Sequence, residues 1–190
     1  MKKIFKFLYP TLVLAAICLI VSLALSSTNS LTEDKIEKIN ALNTKKAMSR
    51  VLKAETYTEK TLDNITYYEA IDGNGVIGYI FITSANGYGG EVKVMTAVLP
   101  DNTVKAVEIL DVSSETPGLG QNATKKEFYG QFSGLSNNIT VVKSGANTEE
   151  SEINAITGAT ITSRAVTKAV NEALDTCKEI STETEASVNE

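Results

Sequence analysis

The stretch EVKVMTAVLPDNTVKAVEILDV, residues 91–112, decides the fold class. Two runs rich in Val, Ile and Thr, Glu91 to Leu99 and Val104 to Val112, flank Pro100-Asp101-Asn102-Thr103. β-branched side chains fit a pleated surface, and Pro, Asp and Asn adopt the backbone angles of a tight reversal, so the segment reads as a β-hairpin. Upstream, Val76 to Thr83 and Ile65 to Ala70 are further short β-like runs, in a pattern that begins near Tyr57. Downstream, a short helix is expected over Ala123 to Phe132 with Asn122 as its N-cap, then a strand over Ile139 to Val142. Ser163 to Ile180 carries Ala165, Val166, Ala169, Val170, Ala173 and Leu174 at helical spacing and reads as the final helix. The order predicts an α+β domain, a largely antiparallel sheet flanked by helices.

Ahead of this domain lies an uncharged run, FLYPTLVLAAICLIVSLAL, residues 7–25, just long enough to cross a bilayer as one helix. Lys2, Lys3 and Lys6 stand on its N-terminal side alone, so residues 1–6 are expected in the cytoplasm and the main domain on the extracytoplasmic side of the cell membrane. The length of the run favours an uncleaved single-pass anchor over a cleaved signal peptide. Residues 26–54 read as a linker, Ser26 to Ser30, and a juxtamembrane helix opened by the capping-box spacing of Ser30-Leu31-Thr32-Glu33. Residues 55–180 form the main domain, and the acidic stretch 181–190 is expected to be disordered.

The chain has no His and no Trp, which removes the commonest general base, the commonest metal ligand and every Ser-His-Asp arrangement. No catalytic residue and no metal site is therefore assigned. Its two cysteines, Cys18 in the span and Cys177 late in the last helix, cannot reach one another to form a disulfide. No acid precedes residue 26, so the remainder carries 15 basic against 23 acidic side chains, a net of −8 that argues against nucleic acid as a partner.

Three loops are candidates for a site. Asn86-Gly87-Tyr88-Gly89-Gly90 separates two strands; its glycines allow tight turning or the close approach of a planar ligand, with Tyr88 as a stacking surface. Glu115-Thr116-Pro117-Gly118-Leu119-Gly120 contains ordinary Pro-Gly turn chemistry. Thr157-Gly158-Ala159-Thr160-Ile161-Thr162-Ser163 sets four hydroxyls around a glycine at the start of a helix, where free N–H groups and the helix dipole favour an anion such as phosphate. Read alone, it is either that or an N-cap with spare hydroxyls.

Taken together, Thr157-Gly158-Ala159-Thr160, Glu115 to Gly120, the Gly87 to Gly90 loop and the single N-terminal span resemble the FMN-binding G subunit of Rnf ion-translocating oxidoreductases. The C subunit of the sodium-pumping NADH:quinone reductases is similar. The resemblance implies an electron-transfer protein that is part of a translocase rather than a stand-alone catalyst. It implies an FMN held through a phosphoester to Thr160, installed by a flavin transferase that uses FAD as donor. It implies electron flow, from ferredoxin to NAD, coupled to ion translocation with other membrane subunits of the complex. Around an FMN so attached, the cofactor site is expected to comprise Thr157, Gly158, Ala159, Thr160, Thr162, Ser163 and Arg164 near the phosphate, and Glu115, Thr116, Leu119 and Tyr88 near the ring. Asn154 stands where the transferase motif usually has Asp, and Ser113 where a His is frequent. The alternative function is a scaffolding or binding module of a membrane complex that never carries flavin.

Overall fold

Strand β4, Glu91–Val98, owes its central place to being apolar on both faces: Val92, Val94, Met95, Ala97 and Val98 are all fully buried. It pairs on one side with β3, Gly75–Asn86, and on the other with β5, Val104–Asp111. β2, Ile65–Asp72, and β1, Thr56–Leu62, continue the sheet outward, giving an antiparallel meander in the order β1-β2-β3-β4-β5. The computed structural model describes residues 2–62, 65–73, 75–147 and 150–188, and its contacts divide the chain into two units, Met1–Lys45 and Lys46–Glu190.

The β4–β5 hairpin forms as its turn chemistry dictates. Asn102 takes a φ of 61°, a left-handed conformation that Asn tolerates better than most residues, and Thr103 N donates to Asp101 Oδ1 at 3.0 Å. Alternation then sorts the side chains. Phe81, Val92, Val94, Val98 and Val107 face the final helix α3, Thr160–Val188, in the larger core. Ile80, Met95 and Ala97 face the other way, where Ala47, Met48, Val51 and Leu52 cover them at and just beyond the end of helix α1, Lys2–Val51. Arg50 of that last turn pairs with Glu108 of β5.

Within the α3 core, Thr83 Oγ1 donates to Ala169 O at 2.8 Å, but Thr96 Oγ1 is buried with no partner. A desolvated hydroxyl without a bond costs free energy that an isosteric methyl does not. Thr96→Val is therefore expected to stabilise the domain by about 1 kcal/mol, read as a higher urea midpoint at unchanged m-value. Cys177 lies in the same core, where burial pushes its thiol up to about 11; it packs as an apolar side chain and is inert as a nucleophile.

Several expected boundaries change. Ser26 to Ser30 does not interrupt α1: Thr28 Oγ1 donates back to Ala24 O at 2.9 Å and Thr32 Oγ1 to Thr28 O at 2.8 Å, and no Gly or Pro intervenes. The helical window Tyr9–Glu33, of mean hydropathy 2.2, is long and apolar enough to cross a membrane. The expected helix over Ala123 to Phe132 is three short pieces: a 3-10 turn Gly120–Thr124, the one-turn helix α2, Lys126–Tyr129, and a second 3-10 turn Gly130–Phe132. Asn122 does not cap it; its Nδ2 donates instead to Gly118 O at 2.6 Å. The strand near Ile139 is β6, Thr140–Val142, which runs parallel to β7, Glu152–Asn154, a strand the sequence did not reveal. Helix α3 runs on to Val188 through most of the stretch expected to be disordered, with Ser181 Oγ and Thr182 Oγ1 donating to the carbonyls four residues back. Asn189 and Glu190 lie outside the described residues.

Candidate functional site

The three loops singled out in the sequence meet at one carboxylate. Glu115 is 2% exposed; its Oε1 accepts from the amides of Tyr88 at 2.8 Å and Gly89 at 3.1 Å, and its Oε2 from Thr162 Oγ1 at 2.7 Å. A buried carboxylate is tolerated where donors replace its water, and these three supply that. The glycines make the approach possible. A Cβ at Gly87 would fall on Glu115 Oε1, one at Gly120 on Glu115 Oε2, and one at Gly89 on the carbonyl oxygen of Ser114.

The second loop is tied as a turn, with Leu119 N donating to Thr116 O at 3.1 Å and Gly118 at a φ of +77°. The third turns at Gly158, whose φ of +76° admits glycine best, and Ala159 N donates to Ile156 O at 2.9 Å. Helix α3 begins directly after this turn. Its first main-chain bond runs from Ser163 N to Ala159 O, and among the described residues nothing accepts from the amides of Thr160, Ile161 and Thr162. Among the described residues no side chain hydroxyl accepts from these amides as an N-cap would, and three free donors remain at the positive pole of the helix.

Between the loops lies a cavity of about 590 Å³ lined by Tyr88, Glu115, Thr116, Leu119, Gly120 and the segment Gly158 to Thr162. That size is within the usual range for small-molecule sites, about 300–1,000 Å³. Its rim is apolar where most of the domain surface is not. In the Lys46–Glu190 unit the exposed large hydrophobics among the described residues are Val76, Tyr88, Leu119 and Ile161, and the last three line this cavity. Apolar side chains left open beside free N–H donors match a ligand with a flat apolar part and an anionic end.

Most of the expected site residues gather here, but three do not. Arg164 is exposed and lines a separate groove with Thr140, Lys168 and Asn171. Ser163 is fully buried, its hydroxyl donating to Ala159 O and accepting from Ile156 N, both at 2.9 Å. Thr157 is exposed and is not part of the cavity lining. Conversely, Gly120 and Ile161 line the cavity without having been assigned to it. The signal for Ile161 is an apolar residue off the buried stripe of α3, where packing does not call for one.

Asn154 and Ser113 are both occupied away from the cavity. Asn154 Oδ1 accepts from Ala146 N at 3.1 Å, and its main chain exchanges bonds with the Gln131 side chain. Ser113 N donates to Asp111 Oδ1 at 2.8 Å, which holds the Asp111 carboxyl below its ordinary range.

A model of the FMN-binding domain matches residues 87–175, which takes in all three loops. The G subunit of the Na(+)-translocating ferredoxin:NAD(+) oxidoreductase complex of Acetobacterium woodii is 33% identical, over 90% of this chain and 91% of that protein. The G subunit of the proton-translocating complex of Clostridium ljungdahlii is 46% identical, but this chain spans only 58% of its length, through 57% of its own. Among solved structures, NqrC of Shewanella oneidensis shares the fold, with a TM-score of 0.52 at 24% identity over 64% of each chain. The extent of the Acetobacterium match, together with the domain match over the loops, places this chain in the G-subunit family of ion-translocating oxidoreductase complexes.

Proposed function

We propose that this chain carries FMN covalently on Thr160 and passes electrons within a membrane complex that couples ferredoxin:NAD(+) oxidoreduction to ion translocation. The observation that carries the reading is which hydroxyl is free. Of the four in Thr157 to Ser163, those of Thr162 and Ser163 are bound within the chain and Thr157 lies off the cavity. Thr160 lines the cavity half-buried, and its hydroxyl has no partner among the described residues.

The residues present fit FMN. The amides of Thr160, Ile161 and Thr162 would hold the phosphate, and Tyr88, Thr116, Leu119 and Ile161 would border the isoalloxazine. When bound, FMN supplies one-electron transfer; the protein supplies orientation and electrostatics. In attachment, the Thr160 hydroxyl displaces AMP from FAD on a flavin transferase. One oxygen–phosphorus bond forms to the FMN phosphate as the pyrophosphate bond breaks, and the hydroxyl proton is released. A covalent link keeps the flavin at its site on the extracytoplasmic side, where a dissociated one is diluted away. Lys2, Lys3 and Lys6 flanking the span on its N-terminal side support that placement. Other membrane subunits of the complex are the electron partners.

Peptide mass spectrometry tests the assignment. The tryptic peptide containing Thr160, from chain co-expressed with a flavin transferase, is expected to carry the mass of an FMN phosphoryl group. An unmodified peptide from transferase-competent cells would return the chain to the role of scaffolding module.

A further inference from the structure

We propose that Glu115 is a positioning residue of this site, one that fixes the three loops as a unit and does not bind the cofactor, an inference that rests on the function proposed above. Its place beside the cavity suggests a ring contact, but its bonds assign it otherwise. Oε1 is taken by two amides of the Gly87–Gly90 loop and Oε2 by the Thr162 hydroxyl, one turn into α3. At 2% exposure it has little surface left to offer a ligand.

Those bonds set the geometry on both sides of the cavity. Holding the Tyr88 and Gly89 amides fixes the loop that carries Tyr88, 73% exposed on the rim. Holding Thr162 fixes the first turn of α3, and with it the aim of the Thr160 hydroxyl and of the free amides. Three separate glycines leave room for this carboxylate or for the backbone that carries it: Gly87 and Gly120 against its oxygens, Gly89 against Ser114 O. A ligand carboxylate would be served by an open face; a clasp needs closure on all sides, which is what the glycines provide. Group transfer is sensitive to this, because displacement of reacting atoms by about 1 Å can cost about a hundredfold in rate.

The test uses the full-length chain co-expressed with a flavin transferase, with two readouts: the rate of flavin incorporation by intact mass, and hydrogen exchange at the Tyr88 and Gly89 amides. Glu115→Ala is expected to slow incorporation about a hundredfold and to unprotect both amides. Glu115→Gln is expected to restore both, since its amide oxygen accepts from Tyr88 and Gly89 and its NH₂ donates to Thr162 Oγ1, the charge being dispensable. Incorporation at the wild-type rate in Glu115→Ala overturns the proposal. So does a Glu115→Gln chain as slow as Glu115→Ala with both amides still protected, which makes the charge itself the functional element. Should Glu115→Ala fail to fold, Glu115→Gln and Thr162→Val decide. Normal loading in the first and slowed loading in the second, with amides protected in both, uphold the clasp; the reverse pattern overturns it. Equal loading of Thr160→Val and wild type refutes Thr160 as the attachment site, whatever the Glu115 variants do.

Discussion

Thr160→Val is expected to abolish covalent flavin completely while leaving the fold and its stability unchanged. Val matches Thr in shape and keeps the β-branched rotamer preference, and the hydroxyl that is lost makes no bond among the described residues. A surface or half-buried change that removes no bond and opens no cavity moves stability by no more than about 0.5 kcal/mol. The neighbouring substitution behaves differently. Thr162→Val deletes a buried donor to Glu115 and leaves a carboxylate oxygen desolvated, a cost of about 1–3 kcal/mol. Thr160→Ser keeps a hydroxyl on the same carbon and is expected to retain flavin. Denaturing gels read for flavin fluorescence and urea melts of the same samples give both measurements. A fluorescent band at the chain's mass in Thr160→Val would falsify the attachment site.

The sheet was legible where local chemistry and pattern agree. Pro100 to Thr103 between two Val-rich runs admitted one reading, and the structure has that hairpin with Asn102 in the left-handed region. β1 carried no such mark: TYTEKTL is polar and mostly exposed, and its pairing is imposed by β2 beside it. β7, only three residues long, exists because β6 is there to pair with it. The linker and tail were misread for one reason. Serines and threonines suggested breaks, yet inside a helix their hydroxyls return to the carbonyl four residues back and the helix continues.

At the site, the motifs were legible one by one and their joint purpose was not. The glycines of the Gly87 to Gly90 loop read as room for a planar ligand, whereas Gly87 and Gly89 make room for Glu115 and for the carbonyl of Ser114. A lone Glu in a Pro-Gly turn carries nothing in sequence to announce burial. Contacts across 26, 27 and 47 positions of chain are what turn it into a clasp. Arg164 illustrates the opposite error. Sequence proximity to Thr160 suggested a phosphate partner, but the side chain is exposed and lines a separate groove with Thr140, Lys168 and Asn171.

Gly120→Ala is expected to lose flavin incorporation and to destabilise the domain by about 2–6 kcal/mol, although a single methyl is added. Gly120 does not sit in the left-handed region, so Ala adopts its backbone without strain and the effect is steric alone. The new Cβ would lie inside contact distance of Glu115 Oε2 and at 2.8 Å from Thr162 Oγ1, wedged into the bond between them. Overpacking of a closed site costs about 1–3 kcal/mol, and a buried carboxylate pushed off its donor adds about 1–3 kcal/mol. Gly118→Ala is the matched control. At a φ of +77°, with nothing within 4 Å of its Cβ, it carries backbone strain of about 1–2 kcal/mol and no clash. If glycine matters in this loop only for turning the chain, Gly118→Ala is the more damaging of the two and Gly120→Ala loads flavin normally. If glycine makes room for the clasp, the order reverses: Gly118→Ala loses some stability and keeps its flavin, while Gly120→Ala loses both. Flavin per polypeptide against urea midpoint, measured on the two variants side by side, separates these outcomes, because strain alone lowers the midpoint without touching the geometry around Thr160.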